Sequence, residues 1–334
     1  MNPEVPEPAA PNPAAPNPAV AAFGRRFGVA HPIANAPMAH VAGGALAAAV
    51  TRAGGLGLIG GGYGDQAWIE AQIGLAAGAP VGLGLITWAV DDRLAVIDRA
   101  GELGVTTFLF SFGRPGPAIE RVRGGDGRVL CQVQSVADAL DAVGAGADAI
   151  VAQGREAGGH GRDDESLHRL LPAVVEAVAP VPVLAAGGLA TGADLAAAWE
   201  VGAAGVLLGT RMYATPEALD TAAAKERLVA SGSGSTVRTR VFDLIRGPEW
   251  PAGHDGRAIT NDLTARWHGN EVELVAELDA ARERYRRAAA GQDLGERVVC
   301  AGTGLDEIGD VRPAADLVRS IARDAAAIAA QPAG

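Results

Sequence analysis

The chain has 334 residues, 49% of them hydrophobic, a formal net charge of −11 and a sequence pI near 5.0. That is enough apolar material for a large core, as two ordinary domains or as one large barrel with additions. The acidic balance argues against a nucleic-acid partner, which is held by clustered Lys and Arg, and no uninterrupted apolar run of about eighteen residues offers a membrane span.

Residues 1–22 are rich in Pro and Ala with a repeated AAPNP unit. They read as a disordered, partly polyproline-like tail, without the basic start and apolar core of a signal peptide. The only cysteines, Cys131 and Cys300, are too few for a disulfide framework, and a cytoplasmic location is expected.

Over residues 23–215, short apolar runs alternate with Ala-rich stretches of helical spacing, the mark of βαβ units. Strands are predicted at Pro32 to Ala36, Leu56 to Gly60, Val81 to Ile86 and Thr106 to Phe112. Four more follow at Val129 to Val133, Asp148 to Ala152, Val181 to Gly187 and Ala204 to Gly209. Eight strands at this spacing predict an α/β fold, a (β/α)8 TIM barrel, in preference to a doubly wound sheet. A doubly wound fold would carry GxGxxG after its first strand, whereas the glycines of AGGLGLIGGGYG surround the second, where close packing accounts for them.

Residues 216–295 hold helical stretches around a Trp-containing middle. They read as a smaller, mostly helical inserted domain over the barrel mouth, with Trp250 and Trp267 in its own core. Residues 296–334 return to the barrel through a loop, a Pro and an amphipathic helix, expected as the last outer helix.

The segment QGREAGGHGR, Gln153 to Arg162, directly follows the strand DAIVA. Gly158 and Gly159 allow close backbone approach, and His160 brings a side chain that titrates near neutrality, which together suggest a built site. A glycine turn with an exposed histidine is the plain alternative. Two later strand ends, AAGGLATG with Gly187 and Gly188 and LLGTR with Gly209 and Thr210, present backbone N–H groups where barrels commonly bind phosphate. Ordinary βα turns are the alternative there.

At the end of the first strand, APMAH places Met38 where a flat ring or a core would suit it equally, and His40 reads as a supporting residue. Lys225, the only lysine, lies in a helical stretch, which argues against a strand-end Schiff base. His31, His168, His254 and His268 have no comparable setting. No His, Cys, Asp and Glu cluster has ligand spacing, so no metal is predicted.

Taken together, APMA, AAAVTRAGGLGLIGGGY, FSFGRP, AQGREAGGHGR, AAGGLATG, LLGTRMYAT, TRVFD and the AGTGLDEI-to-RPAADLV region resemble the nitronate monooxygenase family, FMN-containing TIM barrels formerly grouped with 2-nitropropane dioxygenases. The resemblance implies oxidation of a small anionic alkyl nitronate by O2 to a carbonyl compound and nitrite. It makes His160 the base, Gln153 and Gly158 flavin contacts, and Gly187, Gly188, Gly209 and Thr210 the phosphate site. Met38, with Ala36 and Pro37, would face the isoalloxazine, and Gln132, Gly159 and Leu208 complete the implied cofactor set. Gly84 stands where many members carry Asn, so that polar contact is missing or comes from Thr87 or Gln132.

FMN-dependent enoyl-acyl-carrier-protein reductases share several of these motifs. An NAD(P)H-dependent reductase of an enoyl thioester or quinone is therefore the alternative, with Arg114, Arg155 and Arg162 as candidate cations for the dinucleotide. A phosphate-ligand barrel without flavin is a third reading.

Overall fold

Each predicted barrel strand is buried on both faces, which is why these segments read as unbroken apolar runs. The computed structural model describes residues 17–331. The parallel strands are β1 (Ile33–Asn35), β2 (Leu58–Gly62), β3 (Gly82–Ile86), β4 (Thr107–Ser111), β5 (Arg128–Val133) and β6 (Ala149–Gln153). A short strand β7 (Gly159–Gly161) stands outside the barrel, and β8 (Val183–Ala186) and β9 (Gly205–Leu208) complete it. The order β1-β9-β8-β6-β5-β4-β3-β2 has its two ends side by side, where an isolated parallel bridge between Ala34 and Leu56 closes the ring. Asn35, fully buried, staples the same seam: its amide donates to the Leu58 carbonyl at 2.8 Å and accepts from the Leu58 N–H at 2.9 Å.

Strand alternation separates two cores. Leu58, Leu109, Leu130, Val151, Leu184 and Leu207 fill the barrel, while Ile59, Leu83, Phe108, Ile150 and Val206 pack outward under the helices. The helix Ala314–Ala329 lies against the helices Gly192–Glu200 and Gly44–Arg52, between the last and first strands.

The tail expectation for residues 1–22 needs correcting where it can be compared. Residues 1–16 lie outside the described residues, but Pro18–Phe27 is a helix, capped by Asn17, whose side chain accepts from the Val20 N–H, with Pro at its start. Phe23 and Phe27, four residues apart, share one face and enter the barrel core from the N-terminal ends of the strands. The proline content that suggests a tail belongs in part to the start of this helix.

Between the barrel and the final helix the chain is helical at Ala222–Ala230, Val241–Arg246, Asp262–Trp267, Glu271–Ala276 and Leu278–Gly291. It also holds two strands unforeseen in the sequence, β10 (Thr236–Thr239) and β11 (Asp255–Ile259). β11 pairs antiparallel with β10 on one side and with β7 on the other, so the insertion is tied to the segment that carries His160.

Candidate functional site

Toward the C-terminal ends of the strands the inward side chains turn small or polar. One pleat above the Leu and Val layer, the inward positions are Ala36, Gly84, Ser111, Gln132, Gln153 and Ala186, and the space they leave opens into a cavity of about 440 Å³. The inserted segment roofs it with Arg246, Trp250 and Tyr285, joined by Arg297 from the segment that follows.

His160 is held from several sides. Its strand pairs with β11, placing it opposite Gly256. Arg238 of β10 reaches across to donate to the carbonyls of Gly161 at 2.9 Å and Arg155 at 3.0 Å. His160 Nε2 lies 2.8 Å from Asp243 Oδ1, with both side chains largely buried. A carboxylate only accepts, so Nε2 carries the hydrogen of this bond, and in the neutral imidazole that leaves the lone pair on Nδ1. The Trp250 indole stacks on the imidazole at 3.5 Å between centroids and 5° between planes.

Trp250 is thus a wall of the cavity, which corrects its assignment to the core of the insertion; Trp267 does lie in that core, with Phe242, Ile245 and Leu263. Phe112, Trp88 and Tyr63 meet Trp250 edge-on, and its indole N–H donates to the Tyr63 hydroxyl at 3.1 Å. His254 joins this cluster through Phe112. Burial first, and then the Arg162 charge, hold the His254 pKa below its ordinary value.

Gly158 and Gly159 line the cavity, yet the reason for Gly158 differs from the one expected: a Cβ there would run into the Ala301–Gly302 backbone. Gln153 lines it too, with its amide already engaged by Gln134 at 2.7 Å and the His160 carbonyl at 3.2 Å. Gln132 is the amide left open, with no hydrogen bond to described residues. Ala36, Pro37 and Met38 form the adjoining wall, and His40 stands at the rim, edge-on to Trp68. Gly84 is glycine because Pro37 occupies the place of its side chain. Of the two substitutes for the missing Asn, Thr87 is buried away from the cavity and Gln132 faces it.

Gly187 and Gly188 both take left-handed φ values, 115° and 74°, and reverse the chain after β8. The helix that follows is capped internally, since Asp194 accepts from the N–H groups of Ala190 and Thr191. The donors left over are therefore upstream of the helix start, at Gly188 and Leu189. Across the cavity, Thr210 Oγ1 accepts from the Gly302 N–H at 3.0 Å and keeps its own hydrogen to donate. Gly304 backs onto the Gly188 carbonyl with no room for a Cβ, so the tail motif AGTGLDEI belongs to this cradle. Leu208 does not line the cavity. Strand alternation turns it into the outer core, and Leu207 takes the inward place.

A charged corner completes the wall. Asp220 accepts from Tyr213, from the Thr221 N–H and from Arg297, the last at 2.7 Å. Burial pushes the Asp220 carboxyl up, but Arg297, Tyr213 and Thr221 outweigh it and hold the carboxyl below its ordinary range. Burial pushes the Tyr213 hydroxyl well up, and Asp220 adds to this. Arg114, Arg155 and Arg162 do not line the cavity. Among the described residues no group of three or more His, Cys, Asp or Glu is placed to hold a metal, and no helix is long and apolar enough to cross a membrane.

Sequence reasoning missed Asp243, Trp250, Tyr63, Arg246 and the Asp220–Arg297 pair. One signal is present in the sequence, because Asp243 closes the motif TRVFD.

Comparison with known proteins identifies the family. The sequence model of the nitronate monooxygenase family matches residues 85–324. Nitronate monooxygenase npaC of Metarhizium robertsii is 32% identical over 292 residues, covering 79% of this chain and 80% of that protein. Among solved structures, FabK from Thermotoga maritima matches with a TM-score of 0.80 at 28% identity, covering 92% of this chain and 96% of its own. Nitroalkane oxidase from Streptomyces ansochromogenes matches at 0.76 and 29%, covering 92% and 98%. With a family match over most of its length and a barrel that carries the expected motifs at one mouth, the chain belongs to the nitronate monooxygenase family and is an oxidoreductase.

Proposed function

We propose that this protein oxidises alkyl nitronates with O2 to a carbonyl compound and nitrite, using FMN, with His160 as the base. The observation that carries the reading is the Asp243–His160–Trp250 unit facing an apolar cavity that ends in the Gly187–Gly188 and Gly209–Thr210 turns.

The residues present fit a flavin bound through a single phosphate. At Gly209 the place of a Cβ is open, its nearest neighbour being Ala36 Cβ at 3.7 Å, and a side chain there would fill the cradle. Gly188, Leu189, Gly209 and Thr210 would hold the phosphate, and Met38, Gln132 and Pro37 would flank the ring. When bound, the flavin supplies the redox chemistry, accepting electrons from the substrate and passing them to O2.

The chain's own part is positioning and proton transfer. Asp243 holds the Nε2 hydrogen, Trp250 fixes the plane of the imidazole, and Nδ1 is the site that takes the α proton of a neutral nitroalkane. The aromatic wall around Trp250 keeps water from the reacting carbon.

Purified protein is expected to be yellow, to release FMN on heating, and to consume O2 and form nitrite with ethylnitronate. Rapid anaerobic bleaching by NADH or NADPH, with no bleaching by the nitronate, would transfer the assignment to the reductase alternative. A colourless protein that ignores added FMN would exclude both.

A further inference from the structure

Besides His160, the charged or imidazole groups lining the cavity are His40, Asp220, Arg246 and Arg297. Arg297 is already paired with Asp220, which Tyr213 and the Thr221 N–H also satisfy, so that corner is close to neutral. Arg246 differs. It is an exposed residue at the edge of the cavity that it lines, and among the described residues its guanidinium meets no carboxylate and donates no hydrogen bond. Burial pushes the hydroxyls of Tyr63 and Tyr285 and the thiol of Cys300 up, and the Arg246 charge opposes this at all three. Its field therefore acts inside the cavity.

A guanidinium stays charged at any working pH and offers its N–H groups in a planar fork that matches two oxygens of one anion. Arg246 also stands three residues after Asp243 on the helix Val241–Arg246, a spacing that puts both on one face. The residue that orients the base and this unpaired cation are thus presented together. The only lysine does not compete for the role, because Lys225 donates to the Pro216 carbonyl.

We infer that Arg246 is the anion anchor of the cavity, binding the two oxygens of a planar anionic group and so selecting substrates that carry one. The inference rests on the nitronate reading and deepens it by naming the residue that meets the charge. An arginine in the last turn of a helix also faces free carbonyls, and that role alone would leave anion binding untouched.

The test uses the flavin-loaded protein with Arg246→Gln and Arg246→Lys, and two readouts. Nitrate, a planar and unreactive anion, is titrated calorimetrically, and KM and kcat are measured with ethylnitronate. Arg246→Gln is expected to weaken nitrate binding by about tenfold or more and to raise KM by a similar factor, with kcat falling less. Arg246→Lys should recover much of the loss, and both variants should melt with the wild type. Equal nitrate affinity in wild type and Arg246→Gln overturns the inference, as does a wild type that binds no nitrate. Should the wild type bind nitrate but fail to oxidise ethylnitronate, the nitronate reading fails and the nitrate titration alone decides on Arg246.

Discussion

Asp243 accepts the Nε2 hydrogen of His160 and so orients the ring, and the two residues should fail differently. With His160→Asn, the fold and flavin should persist while activity on neutral nitroalkanes drops by about 10² to 10⁴, the usual effect of losing a placed general base. Oxidation of preformed nitronate, whose α proton is already gone, should fall much less. Asp243→Asn should give a smaller loss in the same direction, because the ring remains but its tautomer is no longer enforced. Steady-state rates on nitroethane and ethylnitronate decide this, and equal losses on both substrates would remove the base role from His160. Gly209→Val tests the phosphate cradle. The backbone there has an ordinary φ of −94° and open space beside it, so the variant should fold normally yet bind FMN about tenfold or more weakly. Gly188 is a poorer test, since its φ of 74° strains any other residue. At this scale the sequence was legible wherever a site is built from one contiguous motif, as with His160 or Gly187–Gly188. Asp243 and Trp250 come from 83 and 90 positions further along the chain, and no local pattern announces a contact of that span.

The helix Pro18–Phe27 behaves as a stopper for the barrel. Phe23 is wholly buried, and its ring lies 4.7 Å from that of Phe27. Asn17 fixes the outer end by donating to the carbonyls of Trp199 and Ala203 at 3.2 and 3.1 Å. Phe23→Ala should therefore cost about 3–5 kcal/mol, as truncation of a buried aromatic does, with little change in KM because the cavity is at the opposite end of the strands. Chemical denaturation together with nitronate kinetics checks both halves. The same element shows the limit of compositional reading: AAPNPAVAAFGRRF combines a tail-like start with two phenylalanines at helical spacing, and the Pro signal hid the amphipathic one. β7, β10 and β11 were invisible for a different reason. β7 is the tripeptide Gly-His-Gly, with no intrinsic preference for a strand, and its partner β11 begins nearly a hundred residues later, so its pairing is set by tertiary contact.

At the scale of the whole molecule, each predicted barrel strand overlaps an observed one because a parallel barrel buries both faces of every strand and writes an apolar run into the sequence. The insertion has no such regularity, and its own core of Val241, Phe242, Ile245, Leu263, Trp267 and Leu274 is assembled from several short pieces. Two partly buried imidazoles, His31 at the N-terminal end of β1 beside Gly54 and His254 in the insertion, make stability depend on pH. Burial holds the His31 pKa below the ordinary 6.5, and burial together with Arg162 does the same for His254. The unfolded chain therefore binds more protons at these two residues than the folded one as pH falls through that value, so stability is complete above it and declines below it. Asp220, held below the ordinary 3.8, adds a second loss only at more acidic pH. The melting temperature should accordingly fall between about pH 7.5 and 5.5, and a His31→Gln, His254→Gln double variant should show a flatter profile over the same window. If the slope is the same with and without the two imidazoles, the acid sensitivity in this range comes from other groups.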